Sequence, residues 1–361
     1  MILEEGRGER WLRGAGLTAF AFYCSWVLFM DRGHGPAAGP GAPPGEATSF
    51  TEVRFLALGD VNLGRRVGRV ILKGDTTYPF ARVADTLRGY DIVFANLESN
   101  ISEQHGRTEN PRNNMIFTAP PAAAMALKRG GIRVVSTANN HALDFGAAAR
   151  DQTIRYLDSA GIAHCGTSGK GQSPYLPALL RVNGIRIAFF GVTDIMNVTG
   201  AGWKDLVARA DTEGLLPAIR AVRESSDVVV VSYHGGVEYA PKASERTRKF
   251  ARQILEGGAD IVLGHHPHVP YGIESAGGKV AVHSLGNFVF MQPDRYWTRF
   301  SFALSFDIVR DATGTRIRSL RALPLRAGFQ PEFLAPGIEA ATIREHVRLL
   351  SSQDVQELMT W

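Results

Sequence analysis

The chain has 361 residues, of which 45% are hydrophobic and 21% are charged, values that are ordinary for a folded protein with a large core. Its 40 Lys and Arg exceed its 35 Asp and Glu to give a net charge of +5, but they are scattered, without the basic block that tracks a nucleic-acid backbone. Two cysteines, Cys24 and Cys165, support neither a disulfide framework nor a thiolate metal site. Composition therefore argues against disorder, nucleic-acid binding and cysteine-based metal sites.

Residues 1–31 are predicted to be an N-terminal signal anchor or signal peptide. Arg7, Arg10 and Arg13 precede an uncharged apolar run, residues 15–30, which is shorter than the roughly 20 residues of a spanning helix but long enough for a signal sequence. No clear small-residue cleavage site follows it directly, which favours an uncleaved anchor over a cleaved signal peptide or a buried core helix. With the basic end in the cytoplasm, we expect a cell-membrane protein with a single anchor and an extracytoplasmic catalytic domain.

The remaining chain is predicted to consist of three parts. Residues 32–50 are rich in Pro, Gly and Ala and indicate a linker. Residues 51–326 indicate one α/β domain, because short apolar runs alternate with helix-like segments. Residues 327–361 indicate a C-terminal helical extension.

Within the domain, the strand predictions rest on buried-looking apolar runs at 53–58, 92–95, 132–136, 185–190, 228–232, 261–263 and 280–285. Helix-like segments lie between them at 121–129, 147–159, 213–224 and 243–256. Residues 300–308 alternate apolar and polar side chains, which predicts one long half-buried strand followed by a hairpin turn at Asp311.

Three histidines lie within four residues directly after the run at 261–263: His265, His266 and His268. Neutral imidazole is the commonest metal ligand in proteins, and Pro267 stiffens the turn that carries these rings. A solvated histidine-rich loop is the alternative. A metal site is favoured if other ligands reach the same place.

Polar side chains also follow the other apolar runs. Parallel strands of an open α/β sheet end at one edge, where ligands gather. Carboxylates, carboxamides and imidazoles together suit divalent ions such as Mn, Fe or Zn. The residues concerned are Asp60, Asn62, Arg65, Glu98, Asn140, His141, Asp144, His234 and Asn287.

Six motifs carry a resemblance to a known family: GDVNLGR at 59–65, NLE at 96–98, NNHALDFG at 139–146, YHGGVEY at 233–239, GHHPH at 264–268 and HSLGNFVF at 283–290. Together, and in this order, they resemble the CapA family of capsule and poly-γ-glutamate synthesis proteins, whose domain is related to calcineurin-like metallophosphoesterases. The resemblance implies a four-layer α/β/β/α sandwich, two sheets face to face with helices outside, over roughly residues 53–295.

The resemblance also implies roles for individual residues. The metal ligands would be Asp60, Asn62, Glu98, Asn140, His234, His266 and His268, with His265 as a further ligand or a residue behind them. Glu98 takes the place of the Asp that bridges two ions. Asn62 stands where a second His is usual; because a carboxamide binds metal more weakly than imidazole, one ion and two ions are alternatives.

Catalysis would rest on His141 as a proton donor. Asp144 would orient its ring or, alternatively, cap a helix; Arg65 would bind an anionic substrate or cap a turn; Asn287 would bind substrate or be a polar strand end.

Two functions follow from the resemblance. The first is a metal-dependent hydrolase or transferase that acts on a phosphoester or an anionic polymer. The second is a non-catalytic tether or export factor for capsule polymer with a structural or vestigial metal site. In both, the membrane, the polymer and other membrane proteins of capsule synthesis are the expected partners.

Overall fold

The structure is a computed structural model that describes residues 50–200 and 202–359. The predicted membrane anchor and nearly all of the predicted linker lie outside these residues. Across the two described ranges, no helix combines the length and the apolar character that crossing a bilayer requires.

The described residues form strands that are numbered here in chain order: β1 Thr51–Val61, β2 Ile92–Leu97, β3 Asn100–Ile101, β4 Glu109–Asn110, β5 Asn113–Ala119, β6 Val134–Ser136, β7 Ala163–Cys165, β8 Ala178–Val182, β9 Ile185–Thr193, β10 Val228–His234, β11 Ile261–His265, β12 Ile273–Ala276, β13 Lys279–Val282, β14 Asn287–Val289, β15 Phe300–Asp311, β16 Gly314–Arg326 and β17 Glu332–Phe333.

The α-helices of the same residues are α1 Arg65–Leu72, α2 Ala84–Arg88, α3 Ala123–Arg129, α4 Gly146–Ala160, α5 Thr212–Arg223, α6 Glu245–Glu256, α7 Tyr296–Arg299, α8 Ile338–Leu350 and α9 Gln353–Leu358. Two short 3₁₀ helices lie at Tyr78–Phe80 and Gly202–Asp205. Each predicted strand and helix has a counterpart, with ends that differ by a few residues.

Two large sheets organise the domain. The first has the order β17-β16-β15-β1-β2-β6-β7, with β14 beside the end of β1; the second has the order β12-β13-β11-β10-β9-β8. A small third sheet, β3-β5-β4, is inserted after β2. Strands β1, β2 and β6 run parallel in the first sheet, as do β9, β10 and β11 in the second. Their carboxyl ends therefore gather at one edge of each sheet.

A phenylalanine cluster shows that the two large sheets pack face to face. The ring of Phe55 on β1 lies 4.6 Å from that of Phe306 on β15 and 6.0 Å from that of Phe189 on β9, measured between centroids. Phe94 on β2 stacks on Phe189 at 6.0 Å. Because all four rings are almost fully buried, the space between the sheets is the central hydrophobic core.

Helices cover the outer face of each sheet. Strand β1 alternates, so that Phe55 belongs to the central core while Leu56 packs with α1 to α4 on the other face. Strand β10 alternates in the same way between Val230, in the central core, and Val229, which packs with α5 and α6. The predicted mixed α/β class is confirmed.

The predicted C-terminal extension is packed into the domain. Ile343 and Val347 on α8 are buried in the central core between the sheets. The backbone of Gly272 approaches that of Leu350 so closely that an added Cβ would lie 1.9 Å from the Leu350 carbonyl oxygen. This tail therefore completes the core instead of standing apart from it.

Candidate metal centre

The predicted ligands meet where the carboxyl ends of the two sheets come together. Asp60 ends β1, Glu98 follows β2 and Asn140 follows β6, all in the first sheet. His234 ends β10, and the turn with His266 and His268 follows β11, both in the second sheet. All of these side chains are buried, with exposures of 5% or less.

Two groups of ligand atoms form there, and Glu98 belongs to both. In the first group, atoms of Asp60, Glu98 and His268 all lie within 4.8 Å of one another. In the second group, the same holds for Glu98, His234 and His266. Asn140 adds a carboxamide oxygen, Oδ1, 2.8 Å from Nε2 of His234. Each group could therefore hold a cation, and Glu98 could contribute an oxygen to both.

The chemistry of the buried atoms fits metal ions. Neither carboxylate oxygen of Glu98 has a hydrogen-bond partner, and the same is true of Nδ1 of His266. Burial, followed by the negative charges of Asp60 and Glu238, raises the pKa of Glu98 well above its ordinary value. Unpaired charge in the interior is destabilising, and bound cations would compensate it.

The imidazoles are held in the form that binds metal. Burial, followed by the charge of His268, lowers the pKa of His266 to about 4. Burial, followed by the charge of His266, lowers the pKa of His234 well below its ordinary value. Both rings are therefore neutral at pH 7 and offer a lone pair, which with oxygen ligands suits Mn, Fe or Zn.

The turn after β11 adopts an unusual backbone. His266 has a φ of 94° and His268 a φ of 60°, a region that non-glycine residues rarely occupy. The backbone N–H of His266 donates to Oδ2 of Asp60 at 3.3 Å. The turn thereby brings the imidazoles of His266 and His268 into different ligand groups.

Besides Asn140, two predicted ligands lie outside both groups. His265 is fully buried, and its Nδ1 is 3.3 Å from Oδ1 of Asp60. Although burial alone would raise the pKa of Asp60, the contacts with His265 and His268 lower it well below its ordinary value. His265 thus keeps Asp60 ionised. Asn62 is also occupied otherwise, because its Oδ1 accepts from the backbone N–H of Gly64 at 2.8 Å and shapes the turn into α1.

His141 and Asp144 form a pair beside Glu98. Oδ2 of Asp144 lies 2.8 Å from Nδ1 of His141 and accepts from the backbone N–H of Phe117 at 3.0 Å. Nε2 of His141 lies 3.8 Å from Oε1 of Glu98. The alternative of a helix cap is wrong, because the N-cap of α4 is Phe145. Asp144 instead fixes the ring so that Nε2 faces the candidate metal centre.

Arg65 lies near the same cleft, half-buried. Its Nε donates to the carbonyl oxygen of Asn114 at 2.8 Å, and its guanidinium lies 4.6 Å from the ring centroid of Phe117. Phe117 in turn stacks on His141 at 4.2 Å. The inserted sheet that contains Asn114 and Phe117 therefore holds this cation against Phe117, the ring that stacks on His141.

Asn287, predicted to bind substrate or to be a polar strand end, makes its contacts within the protein. It is fully buried; its Oδ1 accepts from Nδ1 of His268 at 2.9 Å, and its Nδ2 donates to Oε1 of Gln292 and to the carbonyl oxygen of Thr298, each at 3.0 Å. No polar atom is left for a substrate. The amide instead fixes the ring of His268 with Nε2 towards Glu98, 3.8 Å from Oε1.

Asn96 is a site residue that the sequence analysis missed. Its Nδ2 donates to Oδ1 of Asp60 at 2.9 Å and lies 3.1 Å from Nδ1 of His234. One amide therefore contacts a ligand of each ion group, and one residue from each sheet. A polar residue inside an otherwise apolar strand was the available signal.

The model of the family described as bacterial capsule synthesis protein PGA_cap matches residues 54–292, which includes every ligand of both groups. The chain belongs to this family. Two relatives agree with the assignment. The PGA biosynthesis protein CapA of Bacillus subtilis is 33% identical over 266 residues, covering 71% of this chain and 68% of the relative. The capsule biosynthesis protein CapA of Bacillus anthracis is 30% identical over 284 residues, covering 77% and 68%.

Solved structures give more distant similarities. A phosphatase from Mycoplasma pneumoniae has a TM-score of 0.46 and 13% identity, covering 77% of this chain and 95% of that one. A putative 5'-nucleotidase from Staphylococcus aureus has a TM-score of 0.42 and 10% identity, covering 82% and 58%. The assignment to the PGA_cap family rests on the sequence matches alone.

In this member of the PGA_cap family, we expect Asn287→Ala to weaken metal binding without unfolding the domain. Losing the hydrogen bond that orients a metal-bound imidazole typically lowers affinity about 10- to 100-fold. Isothermal titration of the metal-stripped protein with Mn²⁺ or Zn²⁺ measures the change. Ser305→Ala, on β15 of the same sheet, is the control and should bind metal like the wild type. Equal affinities for Asn287→Ala and the control would show that Asn287 does not position His268.

Proposed function

We propose that this protein is a metal-dependent hydrolase or transferase of capsule or poly-γ-glutamate synthesis that acts on a phosphoester or on an anionic polymer. The observation that carries the proposal is that Glu98 belongs to both ligand groups. Nε2 of His141 lies 3.8 Å from Oε1 of this same carboxylate. The facing sheets with helices outside support a metallophosphoesterase type of architecture for this domain.

The first ion would be held by Asp60, Glu98 and His268, and the second by Glu98, Asn140, His234 and His266. Two divalent ions lower the pKa of bound water and stabilise negative charge on the reacting group. The protein residues supply the remaining functions. Glu98 and Asp60 would hold the cations through their carboxylates, and the neutral rings of His234 and His266 would complete the ligand sets at pH 7.

His141 would donate the proton that the leaving group needs. Asp144 holds the proton on Nδ1, so that Nε2 exchanges the proton used in the reaction. Arg65, whose guanidinium lies over Phe117 and interacts electrostatically with Glu98 and Asp144, would attract an anionic substrate. The stack of Phe117 on His141 keeps the ring in place and excludes water from one of its faces.

We further propose that residues 1–31 anchor the protein in the cell membrane and that the domain acts outside the cytoplasm. The basic residues before the apolar run support this orientation. Other membrane proteins of capsule synthesis are the expected partners, because the polymer must cross the same membrane.

A non-catalytic tether or export factor is the second candidate. This function is favoured by Asn62, whose Oδ1 accepts a hydrogen bond from the backbone N–H of Gly64. Without Asn62, the first ion would have fewer protein ligands than the second. A site of this kind could hold one ion for structure alone.

An assay of the purified full chain separates the two functions. The protein is stripped with a chelator, reloaded with Mn²⁺, Fe²⁺ or Zn²⁺, and tested on a chromogenic phosphodiester and on poly-γ-glutamate. The hydrolase proposal expects metal-dependent turnover of at least one substrate class, and His266→Ala should remove both metal and turnover. Two bound ions with no turnover on either substrate would favour the tether.

A further inference from the structure

A second buried polar site lies behind the metal centre, around Arg150 on α4. Its side chain is only 2% exposed, yet Nε and Nη1 of its guanidinium have no hydrogen-bond partner. The remaining nitrogen, Nη2, contacts Oδ1 of Asp151 at 3.0 Å, and the Asp151 side chain is 50% exposed. Most of the guanidinium is thus buried without a partner.

The Arg150 side chain lines a small cavity of about 10 Å³, enough for one particle the size of a water molecule. Every residue that lines the cavity is at least nine-tenths buried, and none of them is acidic. The lining consists of Leu97, Ser99, Asn100, Thr137, Ala142, Arg150, Thr153 and Thr167.

The hydroxyl groups around the cavity are mostly committed elsewhere. Thr137 donates to the carbonyl oxygen of Cys165 and therefore accepts from Thr167, whose oxygen lies 2.7 Å away. Thr153 donates to the carbonyl oxygen of Ala149. The donors that remain for an occupant are the two nitrogens of Arg150 and the hydroxyl of Ser99.

The positive charge of Arg150 favours an anion over a water molecule as the occupant of the cavity. Burying a cation is destabilising unless an opposite charge compensates it, and a water molecule would satisfy the donors but leave the charge. Asp151 gives partial compensation at Nη2 only, from the solvent side. The size of the cavity excludes phosphate, sulfate and carboxylates.

We propose that Arg150 binds a single monovalent halide, chloride under ordinary conditions, in this cavity. An ion in this cavity would also contact the chain segments next to the candidate metal ligands. Leu97 and Ser99 flank the bridging Glu98, while Thr137 and Ala142 flank the segment with Asn140 and His141. Asn100 already links these two segments through its Nδ2, which donates to the carbonyl oxygen of Ala142 at 2.8 Å. The halide braces the two turns that carry metal ligands of the first sheet.

Thermal unfolding of the metal-loaded full chain tests the proposal. We expect sodium chloride to raise the Tm of the wild type by at least ~2 °C over sodium gluconate at equal ionic strength, because ligand bound to the native state alone stabilises it. Arg150→Met should lose this chloride-specific shift. Arg155→Met is the matched control, since Arg155 is an exposed cation on the same helix, and it should keep the shift. An effect of chloride on the metal centre would be common to both variants.

Crystals of the wild type grown in sodium bromide provide a second measurement that needs no variant. We expect an anomalous bromide peak within hydrogen-bond distance of Nε and Nη1 of Arg150. A water molecule at this place without bromide, or a chloride shift in Arg150→Met as large as in the control, would overturn the proposal. If Arg150→Met fails to fold, the bromide peak decides alone.

Discussion

Replacing His141 by alanine is expected to lower turnover about 10²- to 10⁴-fold while the two ions stay bound. The imidazole lies beside Glu98 with Nε2 3.8 Å from Oε1, but it belongs to neither ligand group. Its removal therefore takes away the proton donor and leaves the ligands in place. Initial rates on the chromogenic phosphodiester, together with metal analysis of the same preparation, measure both quantities.

The comparison with His266→Ala makes this result specific. Because His266 belongs to a ligand group, its variant should lose metal along with turnover, whereas His141→Ala should lose turnover alone. His164→Ala is the matched control, because this histidine on β7 is paired with Asp158 and should leave both quantities unchanged. Full turnover in His141→Ala would contradict the proton-donor role of this histidine.

Replacing Glu98 by glutamine is expected to raise the free energy of unfolding at pH 7 relative to the wild type in the metal-free protein. In the metal-loaded protein, the same replacement is expected to lower it. In the metal-free protein, burial and neighbouring carboxylates raise the pKa of Glu98. Glu98 therefore ionises more easily in the unfolded chain than in the folded protein. As a result, the free energy of unfolding of the wild type falls as pH rises above the ordinary carboxyl pKa of about 4.3. Glutamine carries no charge, so the metal-free variant should be more stable than the wild type at pH 7.

With metal the order should reverse. A metal ion present at a free concentration 100 times its Kd stabilises the folded state by about 2.7 kcal/mol. Glu98→Gln should lose much of this stabilisation, because it removes the carboxylate that both groups share. Chemical denaturation with and without chelator measures the two differences. Glu238→Gln is the control. The negative charge of Glu238 also raises the pKa of Glu98, but Glu238 belongs to neither ligand group. A variant that gains as much from metal as the wild type would contradict the bridging role of Glu98.

The sequence predicted which side chains would meet at the sheet edges, because strand ends and metal-binding residue types coincide in it. Asp60, Glu98 and His234 each follow an apolar run, and parallel strands necessarily end at one edge. The role of Asn287 was not predictable, since it depends on a hydrogen bond to His268 that forms only when β14 lies beside β1.

The inserted sheet was missed for a different reason. Strands β3 and β4 have two residues each, which is too short for an alternating pattern, and β5 begins with exposed polar residues. Its effect on Arg65 and His141 therefore became visible only in three dimensions. Asn96 was overlooked because its neighbours define a strand while its own side chain reaches both sheets.

The distribution of ligands over two sheets has a kinetic consequence. Each ion group contains at least one residue of the first sheet and at least one of the second, so neither group can be complete before the sheets have docked. Ions bound there would connect the two sheets through interactions that form late in folding and break early in unfolding. Interactions absent from the transition state slow unfolding and leave the folding rate nearly unchanged. Metal would thus govern how long a folded molecule survives proteases, and much less how quickly it forms.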